Sequence, residues 1–150
     1  MKRMCSLTLF VSLLLGCSQS GSIEQRIGKL VNSCPSSSPC IVKIKEVTDF
    51  QWDQLHAFDY GASLDDIQKS LGTDFPDYRE FTRRIVFLKD GRIVHREDEP
   101  ANIERRVNGE VIFDESYKTL HSSYTPETAV FRAETKQFPG GVYYVLTQAK

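Results

Sequence analysis

The chain carries no excess of charge of either sign: 19 Lys and Arg stand against 20 Asp and Glu, a net charge of −1. Nucleic-acid binding calls for a concentrated positive face that neutralises phosphates, and the composition offers none. Histidine is scarce. His56, His95 and His121 are too far apart for two imidazoles at helical spacing to hold a metal, so they read as surface or packing residues unless distant strands bring them together. A G-x-S-x-G elbow is missing, which argues against a serine hydrolase. C-x-x-C spacing is missing too, and Gly140-Gly141 is an isolated turn pair that makes no phosphate cradle. No internal repeat is visible, and no apolar run reaches the roughly 20 residues that a transmembrane helix needs.

What is present begins at the N-terminus. Met1-Lys2-Arg3 precedes an apolar run from Leu7 through Leu15, broken by Thr8 and Ser12 and ending in Gly16-Cys17. A charged start, a short apolar middle and a small residue before the cut mark a secretory signal. Leu14-Leu15-Gly16-Cys17 resembles the lipobox of bacterial lipoproteins. The resemblance implies cleavage before Cys17, a diacylglyceryl thioether and usually an amide-linked acyl chain on that residue, and therefore a lasting membrane anchor. In the alternative, the signal is an ordinary one and Cys17 is incidental. Ser18 in a Gram-negative host resembles the signal for transfer to the outer rather than the inner membrane. The expected organisation is a signal peptide over 1–16, a lipidated cysteine and polar tether over 17–22, and one periplasm-facing domain over 23–150.

Cys34 and Cys40 remain for pairing, and an oxidising exported compartment favours a disulfide between them over a metal or redox site. Ile23, Ile27, Leu30 and Val31 recur at helical spacing, predicting a helix over 22–32 capped by Ser22 and weakened by Gly28. Alternation predicts a strand over 42–45. Asp49 marks a turn before a second strand between Phe50 and Phe58. Ser63 heads a helix carrying Leu64, Ile67 and Leu71, ended by Gly72. Asp90-Gly91 between branched runs predicts a hairpin with a two-residue loop, pairing Leu88 with Ile93 and Phe87 with Val94. Asn108-Gly109 suggests another turn between strands at 103–107 and 110–113. Strands over 129–136 and 142–147 complete the chain. The order of elements favours an α+β fold: an antiparallel sheet with about two helices packed on one face.

The stretch Trp52-Asp53-Gln54-Leu55-His56-Ala57-Phe58, the capped helix ending Leu71-Gly72 and the Arg-Ile-Val-Phe hairpin resemble small bacterial envelope lipoproteins of unassigned activity. That resemblance implies a fold and an address, but no reaction.

No residue stands out as catalytic, and no cofactor or metal is implied. The carboxylates Asp53, Asp59, Asp65 and Asp66 are the candidates for glycan cleavage, but Asp65 and Asp66 suit the first turn of a helix. Glu97-Asp98-Glu99 reads as a solvated hairpin exit or, as the alternative, a cation or partner site. Trp52, Phe58, Tyr60, Phe75 and Tyr78 cluster along the sequence, while Tyr143 and Tyr144 point to opposite faces of the last strand. Trp52, Tyr60 and Tyr78 are the candidates for partner binding, with core packing the competing role. The expectation is a non-catalytic, membrane-anchored lipoprotein that binds another envelope protein, possible forms being an inhibitor or an immunity protein. A hydrolase acting on peptidoglycan or lipid is the alternative.

Overall fold

The computed structural model describes residues 21–100 and 106–149. The expected signal peptide, the stretch that resembles a lipobox, Cys17 and most of the expected tether lie outside the described residues, as do positions 103–105 of the strand expected before Asn108.

Ser22 opens α1 (Ile23–Ser33) with a capping box: its hydroxyl accepts from the Gln25 amide at 3.1 Å, and the Gln25 side chain accepts from the Ser22 amide. Ile23, Ile27 and Val31 are buried. Gly28 costs helix propensity, but a Cβ there would stand 3.1 Å from the Tyr144 ring, so the glycine permits close packing. Cys34 and Cys40 form the disulfide, with Cα atoms 5.6 Å apart. β1 (Cys40–Lys43) ends sooner than expected because α2 (Ile44–Val47) follows at once, one helical turn that buries both Ile44 and Val47. The second expected strand is shorter as well, β2 (Gln54–Phe58), and is followed by α3 (Leu64–Leu71), capped by Ser63 and ended by left-handed Gly72.

β3 (Thr82–Lys89) and β4 (Arg92–Pro100) form the hairpin, with Asp90 and Gly91 at φ 51° and 71° as a type I′ turn requires. Leu88 pairs with Ile93 as expected. Phe87, however, faces His95 rather than Val94, because a bulge extrudes Val94. From there the side-chain alternation of β4 is shifted by one residue.

The later chain departs further from expectation. β5 (Val111–Phe113) makes no hairpin about Asn108-Gly109; it pairs in parallel with β8 (Gly141–Gln148). The turn docks on β8 instead: Asn108 Oδ1 accepts from the Val142 amide at 2.9 Å, and the Gly109 amide donates to the Val142 carbonyl at 2.7 Å. α4 (Asp114–Thr119) and β6 (His121–Tyr124) were not expected, and β7 (Val130–Phe138) completes the order.

The fold is α+β, with two sheets in place of one: β1-β7-β8-β5 and β4-β3-β2-β6. The main cluster joins Phe131, Tyr144 and Leu146 of the first sheet, Leu55, Ile85 and Phe87 of the second, and the apolar face of α1. Val86 and Leu88 leave β3 on its other side and meet Ile67 and Leu71 of α3. The two longer helices thus serve different clusters, one on each side of β3. Among the described residues, no helix is long and apolar enough to cross a membrane.

Candidate functional site

A cavity of about 420 Å³ opens where the start of α1, the end of β2, the paired strands β3 and β4, and the β5–α4 junction meet. Its floor is ionic. Arg83 on β3 directs one guanidinium nitrogen at three carboxylates, 2.8 Å from Glu99, 3.3 Å from Glu24 and 3.6 Å from Glu110, while its other nitrogen donates to the Val111 carbonyl. Arg106 reaches Glu110 from outside at 3.1 Å. Glu97 accepts the Ile23 amide with both oxygens, at 2.8 and 3.0 Å, giving an N–H that has no partner within the helix an anionic one. His95 Nε2 lies 3.0 Å from Glu97.

The bulge at Val94 creates this arrangement. With Phe87 opposite His95, the pairs Ile85–Glu97 and Arg83–Glu99 follow, so Glu97 and Glu99 face inward while Arg96 and Asp98 face the other side. The reading of Glu97-Asp98-Glu99 as a solvated exit is therefore corrected, since their side chains are 21%, 20% and 34% exposed, Glu97 holding the Ile23 amide while Asp98 and Glu99 pair with arginines.

Burial raises Glu24 to about 9, assisted by a side-chain hydrogen bond with Glu99 and opposed by Arg83. Glu24 therefore holds a proton at neutral pH, shared with an adjacent carboxylate. Burial also raises Asp59, opposed by its hydrogen bond from the Tyr60 amide at 2.9 Å and by the charge of Arg83; among the described residues its carboxylate accepts no other hydrogen bond. The Tyr60 hydroxyl is pushed up by burial and by Asp59 and Glu110. Tyr60 lines the cavity beside Tyr117. Leu120 lies close by, its side chain 3.0 Å from where a Cβ on Gly61 would stand.

The sequence candidates separate on this frame. Trp52 is core: it packs edge-on against Phe87 and donates its indole N–H to Thr48 at 3.0 Å. Tyr78 supports Arg84, whose guanidinium carbon sits 4.8 Å over its ring, and gives its hydroxyl proton to the Ala62 carbonyl. Phe58 and Phe75 are buried. Tyr60 alone of the three partner-binding candidates borders the cavity. Asp53 secures the hairpin turn by accepting the Asp90 amide, and Asp65 and Asp66 occupy the first turn of α3; of these four carboxylates, Asp59 alone enters the cavity.

Sequence spacing gave no indication of Arg83, Glu24, Glu110, Tyr117 or Leu120. These residues come from separate segments, and Tyr117 lies on an unexpected helix. Two histidines do converge: His56 Nδ1 lies 3.0 Å from His121 Nε2 across β2 and β6, and Gln54 Oε1 is 3.1 Å from His56 Nε2. Among the described residues no group of three or more His, Cys, Asp or Glu could hold a metal.

No protein-family model, curated protein or solved structure matches this chain.

Proposed function

We propose that the chain is a membrane-anchored envelope lipoprotein whose periplasm-facing domain binds another protein without turnover, as an inhibitor or immunity protein does. The anchor rests on the resemblance of Leu14-Leu15-Gly16-Cys17 to a lipobox, and in a Gram-negative host Ser18 favours the outer membrane over the inner. The observation that carries the binding reading is the pair of tyrosines on the cavity: Tyr117, 54% exposed, lines it with Tyr60, and Leu120, 45% exposed, packs near Gly61. Large side chains around a concavity suit an interface anchor. The test is crosslinking in intact cells with wild type, Cys17→Ala and Tyr117→Ala. One envelope protein captured by wild type and lost in both variants supports the reading; capture unchanged by Tyr117→Ala overturns this placement of the interface.

A second reading has its own observation. Glu24 keeps a proton in a hydrogen bond with Glu99, a pair of carboxyl groups sharing one proton as some hydrolases use. A hydrolase acting on peptidoglycan or lipid predicts release of soluble fragments that Glu24→Gln abolishes.

A further inference from the structure

We propose that the cavity at Arg83 is a binding site for an organic cation, an ammonium or guanidinium group on a short aliphatic stem. Beside the protonated Glu24, four carboxylates, Asp59, Glu97, Glu99 and Glu110, line the cavity with Arg83, and Arg106 reaches Glu110 from outside it; Arg84 and Asp98, which also line it, pair with each other. Arg83 and Arg106 between them cannot neutralise all four, because each added anion competes for the same few donors.

Asp59 is the second observation. It is 6% exposed and lines the cavity, yet it accepts a single hydrogen bond, from its neighbour's amide, and makes no ion pair among the described residues. The charge of Arg83 offsets its burial only in part, and a buried carboxylate so weakly compensated is costly. It becomes favourable once a cation enters from solvent.

The walls set the ligand's shape. Ile85, Val111 and Phe113 offer apolar surface for an aliphatic stem, and Tyr60 and Tyr117 offer ring faces that attract cations. A volume of about 420 Å³ lies in the range of small-ligand pockets and suits the end of a lysine or arginine side chain. Glu24, Glu99 and Glu110 also border a second hollow of about 450 Å³ running along α1 to Asn32 and Tyr144, so the site continues as a groove. The proton held by Glu24 is the one expected to leave as the cation arrives, passing to solvent.

The shared chemistry has two sources, a free amine or the basic side chain of a partner protein. The proposal stands independently of the interface reading, because a free amine probes the cavity alone. The experiment is calorimetric titration of the full chain with butylamine, with butanol as neutral isostere, and with a short lysine-containing peptide. Expected are saturable binding of both cations but not butanol, weakening by about tenfold or more in Asp59→Asn and in Glu99→Gln, and no change in Glu134→Gln on the outer face of the other sheet. Run in two buffers of different ionisation enthalpy, wild type releases a proton on binding and Glu24→Gln does not. A peptide that binds about tenfold tighter than butylamine assigns the site to a protein partner; equal affinity assigns it to a free amine. Identical isotherms for butylamine and butanol, or undiminished binding by both folded acid variants, overturn the proposal. Glu99→Gln, at a partly exposed position, keeps the test decisive if Asp59→Asn does not fold.

Discussion

Phe87 lies opposite His95, and their rings meet edge-on with centroids 5.9 Å apart. Val94, the residue displaced by that pairing, is exposed. This one-residue bulge decides which acids of β4 face the cavity. Val94→Ala should change stability by no more than about 0.5 kcal/mol, as surface substitutions do. Deleting Val94 should leave Glu97 and Glu99 facing the cavity, because His95 then follows Ile93 directly and the pairs Phe87–His95, Ile85–Glu97 and Arg83–Glu99 are kept; its cost should stay within about 0.5–3 kcal/mol, as for an ordinary single change. Urea denaturation of both variants measures the difference.

How much was legible follows from the range over which each feature is encoded. Ser22, Ser63, Gly72 and Asp90-Gly91 act on their immediate neighbours, so both longer helices and the hairpin could be read directly. The disulfide could be read from two cysteines six residues apart. The bulge has no local marker, as Val94 is an ordinary strand residue. The parallel pairing of β5 with β8 depends on Asn108 meeting Val142, contacts 34 residues apart, and short β6 and α4 carry little periodicity. The cavity was least legible, since its residues come from α1, β2, β3, β4 and the segment before β5.

His56 and His121 offer a pH prediction. Burial and the neighbouring imidazole lower His56 from 6.5 to about 4, and burial lowers His121. Between those values the unfolded chain binds protons that the folded chain does not, so the contribution of His56 is present above pH 6.5 and is lost as pH falls toward 4. His56→Gln should cost about 1–3 kcal/mol near pH 7 through a disrupted buried hydrogen bond. The deficit relative to wild type should shrink steadily on acidification. A deficit constant from pH 7 to pH 4 would refute the shift.

Arg83 joins three carboxylates that come from α1, from β4 and from the segment before β5. Arg83→Met removes their common partner while filling similar space, leaving Glu99 and Glu110 partly buried and less well compensated. Loss of one member of a buried ionic cluster costs about 3–5 kcal/mol. Chemical denaturation should show that loss at pH 7. It should be smaller at low pH, where the carboxylates are neutral and need no cation.

Glu24 predicts the opposite slope from His56. Its folded pKa is raised from 4.5 to about 9 by burial and by Glu99, so between those values the folded chain holds a proton that the unfolded chain has released. The stability associated with that proton is complete below pH 4.5 and declines as pH rises toward 9. Glu24→Gln supplies a permanently neutral side chain of nearly the same shape, able to hydrogen-bond Glu99 without titrating. Its stability relative to wild type should therefore improve progressively between pH 5 and pH 9, read as a rising difference in urea midpoint. A difference that stays flat would mean that Glu24 is ionised in the folded protein and that Arg83 compensates it fully. A difference that falls would mean that the carboxylate, in its charged form, is what holds α1 to the second sheet.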